Sequence, residues 1–163
     1  MSASDADELP NLGVIIGGVL QRVPLLQQPL LIATAERLAA QRYRDWATAA
    51  AAGPRRSQLL ACAEREEEIA SRVEALYPEA AAMQHALLAN NPDLEELNHS
   101  IFAGRPLMQQ FTIQAQGERL GAATWKAFAQ HDQDPSRRAA FLACADLEVE
   151  SALVLEGILA AER

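Results

Sequence analysis

The chain has 163 residues, of which 50% are hydrophobic, and its formal net charge is −8 at pH 7. This length fits a single domain with a substantial core, and the hydrophobic content argues against intrinsic disorder. The acidic balance argues against a nucleic-acid-binding protein, because such a protein needs a basic face to neutralise phosphates.

Signals for membrane insertion and secretion are weak. Residues 12–32 come closest to a membrane span, but glutamines, an arginine and two prolines interrupt them. They therefore lack the roughly 18 consecutive apolar residues that a span needs. Met1 to Glu8 is acidic and lacks the basic region of a secretory signal. We expect a cytoplasmic protein that does not cross a membrane.

Prolines and glycines divide the chain into helical segments. Residues 10–28 contain Gly17, Gly18 and Pro24, and we predict a short helix or irregular arm there that covers other helices or contacts another subunit. Proline suits a first helical position and strand-forming residues are scarce, so the remaining elements are all predicted as helices. They cover residues 29–50, 54–77, 78–90, 93–103, 106–130 and 135–161, with Asp93 and Asp134 as the predicted N-caps of the fourth and sixth.

Residues 33–70 and 115–152 repeat one another at a constant offset of 82 residues, with 15 identities in 38 aligned positions and no gap. The repeat predicts two related helical hairpins, residues 29–77 and 106–161, joined by a crossover over residues 78–105. Residues at equivalent positions of the two copies include the pairs Glu36/Glu118, Glu66/Glu148, Cys62/Cys144 and Tyr43/Trp125.

Four glutamates lie at the centre of core-facing helical stripes. Every neighbour of Glu66 at three, four and seven residues is apolar, and the same spacings around Glu36, Glu118 and Glu148 are predominantly apolar. Each hairpin separates its two glutamates by 30 residues (66 − 36 and 148 − 118). At about 1.5 Å per residue, both members of a pair lie roughly 21–24 Å from the hairpin turn. All four carboxylates are therefore expected in one layer.

Carboxylates crowded into a dry core need positive charge or protons, because an unpaired buried carboxylate is costly. Two divalent cations would balance four ionised glutamates. Shared protons, a tyrosine hydroxyl such as that of Tyr43, or an inward-reaching arginine are alternatives. Arg37 and Arg119 each follow a core glutamate by one residue, about 100° around the helix, and are therefore poorly placed to reach the buried carboxylates. Trp125 is not expected to satisfy carboxylates as Tyr43 would.

These residues resemble those of the ferritin-like superfamily, and most closely its rubrerythrin-type members. In that family the first and third helices each supply a glutamate, and the second and fourth each supply Glu-x-x-His. Glu36 and Glu118 match the glutamates of the first and third helices. Glu66 and Glu148 match the glutamates of the two Glu-x-x-His motifs, but Ile69 and Ser151 stand where those motifs have histidine. An additional carboxylate of some rubrerythrins falls at Gly121, and the chain has no cysteine-rich segment for a rubredoxin-type iron centre.

The resemblance implies an all-α, ferritin-like four-helix bundle as one domain over residues 1–163, with residues 1–28 as an N-terminal arm. It implies two metal ions, iron or manganese, and a di-metal oxidoreductase that uses oxygen or peroxide. Ligation by oxygen alone favours hard ions such as manganese, magnesium or calcium. The alternative function is a non-catalytic scaffold or interaction protein that has lost the metal. The implied ligands are Glu36, Glu66, Glu118 and Glu148.

Other features favour ordinary structural roles. Acid–base catalysis by the carboxylates without metal is a third interpretation, but the sequence shows no phosphate loop, nucleophile–base pair or other sign of a substrate pocket.

The two cysteines are expected to be buried core thiols, and a disulfide between them is left open. Expected partners are metal ions and a second copy of the chain in a homodimer. His85, His99 and His131 lack a three-residue spacing to a core glutamate, so surface or packing roles are predicted for them.

Overall fold

The computed structural model describes residues 8–163, and that part of the chain is all-α, with seven α-helices and no strand. The helices follow the predicted segments closely. The clearest difference is that the helix predicted over residues 54–77 ends at Glu74, because residues 75 to 77 form a turn. The elements are α1 (Leu12–Leu20), a 3-10 turn (Leu25–Gln27), α2 (Gln28–Ala49), α3 (Pro54–Glu74), α4 (Ala80–Asn90), α5 (Leu94–Phe102), α6 (Leu107–His131) and α7 (Pro135–Ala161).

Local sequence explains where the long helices begin. Gly53, with φ of 149°, adopts a conformation that favours glycine, and Pro54 then starts α3 at a position where its missing N–H costs no hydrogen bond. Asp134 caps α7 as predicted, since its carboxylate accepts from the backbone N–H groups of Ser136 and Arg137. Asp93 occupies the predicted N-cap position of α5, but its side chain makes no capping hydrogen bond.

The Asp93 carboxylate instead accepts two hydrogen bonds from the guanidinium of Arg22, at 3.0 and 2.8 Å. This ion pair joins the segment after α1 to the start of α5. A charge-assisted pair with arginine competes effectively with a backbone amide for the same carboxylate. His131, one residue beyond the end of the helix predicted over residues 106–130, is the last residue of α6.

The long helices pack as two pairs. α2 lies along α3, α6 lies along α7, and α3 also packs against α7. Side chains connect α2 to α6, where the Trp46 indole N–H donates to Gln110 Oε1 at 3.0 Å and packs edge-on against Phe111. The interior of the four long helices is therefore shared between both halves of the repeat.

Two apolar clusters fill this interior. One, the Trp125 cluster, also contains Ala33, Ile69, Val73, Phe141 and Cys144. The other, the Tyr43 cluster, also contains Leu59, Cys62, Ala63, Phe111 and Leu155. The two cysteines are buried core thiols, as predicted from sequence, and both are free and belong to different clusters. Burial raises their pKa values to about 11 for Cys62 and about 12 for Cys144.

The shorter helices lie outside the long ones. α1 contacts α6, and α4 contacts α2. A third apolar cluster, with Val23, Leu30, Leu31 and Leu87, joins the N-terminal arm and α4 to the beginning of α2. Among residues 8–163, no helix has both the length and the hydrophobicity that crossing a membrane requires.

Candidate metal centre

The four glutamates predicted from the repeat lie between the two apolar clusters. On α3, Glu66 follows Ala63 of the Tyr43 cluster and precedes Ile69 of the Trp125 cluster. The other three long helices repeat this arrangement, with the order of the clusters reversed on α2 and α7. The glutamates thus form one polar layer in an otherwise apolar interior. They are exposed by 9% (Glu36), 0% (Glu66), 1% (Glu118) and 1% (Glu148).

Three of these glutamates converge on one point. Glu36, Glu66 and Glu148 each offer a carboxylate oxygen, and the three oxygens lie within 4.8 Å of one another. Glu118 belongs to the same layer but not to this closest set, although its charge acts on the other three carboxyl groups. The three converging oxygens form an arrangement that could hold a cation.

Hydrogen-bond donors hold one oxygen on each of two glutamates, Glu118 and Glu66. Glu118 Oε1 accepts from the Tyr43 hydroxyl at 2.6 Å and from the Gln114 amide at 2.7 Å. Glu66 Oε1 accepts from the Ser151 hydroxyl at 3.0 Å. These donors orient the carboxylates, as outer-shell partners do in metal sites.

The Trp125 indole supplies a further donor and corrects a prediction. Its N–H donates to Glu148 Oε1 at 2.8 Å. Trp125 was expected to leave the carboxylates unsatisfied because it replaces a tyrosine in the repeat. An indole N–H is a competent donor, however, and a buried indole usually finds an acceptor.

Two fully buried carboxylate oxygens of the layer have no hydrogen-bond partner in the described part of the chain. Glu66 Oε2 and Glu118 Oε2 are buried and accept no hydrogen bond from protein groups in the described part of the chain. A buried acceptor without a partner is costly, and a buried charged one is more so. On each of these residues, one oxygen is held by a donor and the other is left for a proton or a cation.

Burial and mutual repulsion raise the pKa values of Glu36, Glu66 and Glu148. Burial is the main cause for Glu36, whose pKa rises to about 7, and the Glu118 charge adds to it. Burial followed by the charges of neighbouring glutamates raises the pKa values of Glu66 and Glu148 well above the ordinary range. Without a cation, the layer therefore holds protons at pH values where exposed glutamates are ionised.

A glycine on α6 makes room for one of the carboxylates. A Cβ atom at Gly121 would lie 2.7 Å from Glu148 Cδ and 3.0 Å from Glu148 Oε2. The position is helical, so the requirement is for space and not for a special backbone conformation. The position that carries an additional carboxylate in some rubrerythrins is thus a glycine here, and it makes room for the carboxylate of Glu148.

Arg42 lies beside the carboxylate layer and is not among the residues predicted from sequence. Its guanidinium donates to Gln114 Oε1 at 2.7 Å and to Asn98, and it lies 3.7 Å from the centroid of the Phe102 ring. Burial lowers the Arg42 pKa to about 10, while Tyr43 and the charges of the glutamates oppose this shift. The Gln114 amide accepts from Arg42 and donates to Glu118, so it links the positive charge of Arg42 to the carboxylate layer.

A signal for Arg42 was present in the sequence. It lies three residues after Ala39 and four before Trp46, both of which are buried. These are neighbouring positions on one helical face. Arg37 was considered because it adjoins Glu36, but it pairs instead with Glu67 and Glu74 away from the layer.

The remaining residues considered from sequence lie outside the layer or add nothing to it. Ile69 is buried and offers no ligand atom, and Arg119 pairs with Glu156 at 2.8 Å. His85, His99 and His131 are exposed, which agrees with the predicted surface role.

Comparison with known proteins found no matching family model, no matching curated protein and no matching solved structure.

Replacing Arg42 by glutamine should lower the free energy of unfolding by about 1–3 kcal/mol, because Gln114 and the carboxylate layer lose a charged partner. Arg44→Gln is the matched control, since Arg44 is 42% exposed and pairs with Glu67 at 3.0 Å. An exposed pair contributes about 0–1 kcal/mol. Urea unfolding of both variants measures the difference. Equal losses would show that Arg42 does not compensate the buried acids.

Proposed function

We propose that the protein binds two divalent metal ions at the carboxylate layer formed by Glu36, Glu66, Glu118 and Glu148. The observation that carries the proposal is the convergence of three buried carboxylates within 4.8 Å, beside buried oxygens that lack partners. Two divalent cations would balance four ionised glutamates, and bridging carboxylates are a favourable way to share that charge between ions.

The donor set favours hard ions. Carboxylate oxygens suit manganese, magnesium and calcium, and iron is compatible with them. We propose manganese or iron, because a redox-active ion is what the resemblance to rubrerythrins requires. Such an ion would supply redox chemistry toward oxygen or peroxide. The contribution of the chain is to hold and orient the ligands through Tyr43, Gln114, Trp125 and Ser151, and to exclude water by the two apolar clusters.

The ferritin-like assignment is also part of this proposal. The support is the all-α fold, the packing of α2 with α3 and of α6 with α7, and one buried glutamate on each of these four helices. A four-helix bundle of the ferritin type places its metal ligands in the same manner, on facing helices in the core. The crossover that contains α4 and α5 is compatible with the long connection of such folds.

The test is the metal content and manganese affinity of protein purified without chelator. Elemental analysis should find about two ions per chain, following the charge balance between two divalent cations and four carboxylates. Glu66→Gln should weaken binding by more than the roughly 10–100-fold typical of an outer-shell change. Glu68→Gln is the matched control, because Glu68 lies two residues away and is 46% exposed. Protein without metal, or equal binding by both variants, would refute the proposal.

The alternative function, a scaffold or interaction protein that forms a homodimer, has one observation in its favour. The N-terminal arm exposes large apolar side chains, with Val14 at 70%, Leu25 at 72% and Leu26 at 76%. Under this alternative Glu66→Gln raises or preserves stability, because the variant removes a buried acid that no metal balances. Light scattering on Leu25→Ser/Leu26→Ser measures whether these residues join two copies.

A further inference from the structure

A cavity of about 220 Å³ lies between α1, α2, α5 and α6 and ends at the carboxylate layer. Its walls are predominantly aliphatic, and Glu36, Glu118 and Glu148 line its inner end. No sequence pattern indicates this cavity, because it depends on how α1 and α5 cover the long helices. Representative wall residues are Ile15, Ile16, Val19, Leu97, Ile101 and Ile113.

The size of the cavity indicates a small ligand. An aliphatic cavity of about 150 Å³ in another protein binds benzene, and the present one is about half as large again. It is smaller than the roughly 300–1,000 Å³ of pockets for drug-sized molecules. One or two fused rings, or a compact aliphatic group, match this volume.

Among residues 8–163, the inner end offers an anion no free positive charge. An anionic ligand would lose its hydration between the aliphatic walls and would meet glutamate side chains there. Arg42 also lines the cavity, but its guanidinium is already engaged by Gln114, Asn98 and the Phe102 ring. A cation would have to lose its hydration between aliphatic walls, which is unfavourable. An uncharged molecule avoids both costs.

We propose that this cavity is a binding site for a small uncharged molecule with an apolar body of one or two rings. Any polar group that the molecule carries lies at the inner end, beside Glu36 and Glu118. The proposal goes beyond metal binding and does not depend on it, because the aliphatic walls supply the attraction.

The experiment is calorimetric titration of the full chain, after chelator treatment, with three ligands that share one ring system. They are 1-naphthalenemethanol, which is uncharged, 1-naphthoate, which is anionic, and 1-naphthylmethylammonium, which is cationic. We expect the alcohol to bind one molecule per chain, and each charged ligand to bind at least tenfold more weakly.

Two alanine-to-leucine variants locate the site. Ala35 lines the cavity, so Ala35→Leu should fill it and weaken binding of the alcohol at least tenfold. Ala61 is a half-buried alanine on α3 away from the cavity, so Ala61→Leu should bind the alcohol as the unchanged chain does. The melting temperature of each variant verifies that it folds.

The proposal is wrong if the alcohol produces no binding heat, if Ala35→Leu binds it unchanged, or if either charged ligand binds more tightly. Because the protein is metal-free in this experiment, its failure leaves the metal proposal intact. Absence of metal in the purified protein likewise leaves the cavity proposal intact.

Discussion

The melting temperature of the chelator-treated protein should fall by about 6–12 °C between pH 5 and pH 8. The pKa of Glu36 rises to about 7 in the folded protein, mainly because the residue is buried. Between its ordinary value and pH 7, the unfolded chain releases this proton while the folded protein keeps it. The free energy of unfolding therefore decreases by up to about 1.4 kcal/mol per pH unit in this window. Glu66 and Glu148, whose pKa values are also raised, act in the same direction.

Surface acids do not obscure this effect. Their ion pairs lower the pKa values of Glu74, Asp132 and Glu156, so their stabilisation is lost only as the pH falls well below 5. Calorimetric or circular-dichroism melting at several pH values measures the slope. Glu36→Gln should flatten it and Glu68→Gln should leave it unchanged.

Manganese should reverse the loss of stability at pH 8. At a free concentration one hundred times its dissociation constant, a ligand specific for the folded state adds about 2.7 kcal/mol. A melting temperature that stays constant from pH 5 to pH 8 without metal would show that the buried acids titrate as exposed ones do.

The second large effect is expected at Gly121. Gly121→Ala places a methyl group against the Glu148 carboxyl, which is held by Trp125 and surrounded by other acids. The carboxylate must move away, and such overpacking costs about 1–3 kcal/mol. We expect the displaced ligand to weaken manganese binding at least tenfold.

Gly117→Ala is the matched control for this substitution. Gly117 lies one turn earlier on α6, and its added Cβ would meet only Leu12 Cδ1, at an ordinary 3.8 Å. Both variants gain the roughly 1 kcal/mol that alanine contributes over glycine inside a helix, so their difference isolates the contact with Glu148. Urea unfolding and manganese titration provide the two readouts. Equal behaviour of the pair would remove the steric role assigned to Gly121.

Much of the fold could be predicted because its signals are local. Proline and glycine positions located the helix boundaries, and the apolar spacing around Glu66 placed its carboxylate inside. The gap-free repeat extended that inference to Glu118 and Glu148 on the second hairpin. Each of these predictions required only helical geometry and the burial of apolar surface.

The rest depends on contacts between distant segments. The Asp93 side chain pairs with Arg22, 71 residues away in the sequence, and not with the N–H groups of its own helix. Arg42 reaches the carboxylate layer only through Gln114 on another helix, and helical spacing carries no information about that partner. The cavity likewise exists because α1 and α5 lie over α2 and α6, which no local pattern specifies.

The donors around the carboxylates break the symmetry of the repeat. Tyr43 donates across to Glu118, but its mate Trp125 donates to Glu148 and not to Glu36. Ser151 donates to Glu66, whereas the equivalent residue Ile69 has no O–H or N–H group in its side chain. The duplicated halves have become chemically inequivalent. Two ions bound here would differ in affinity and would fill stepwise, with distinct spectroscopic signatures.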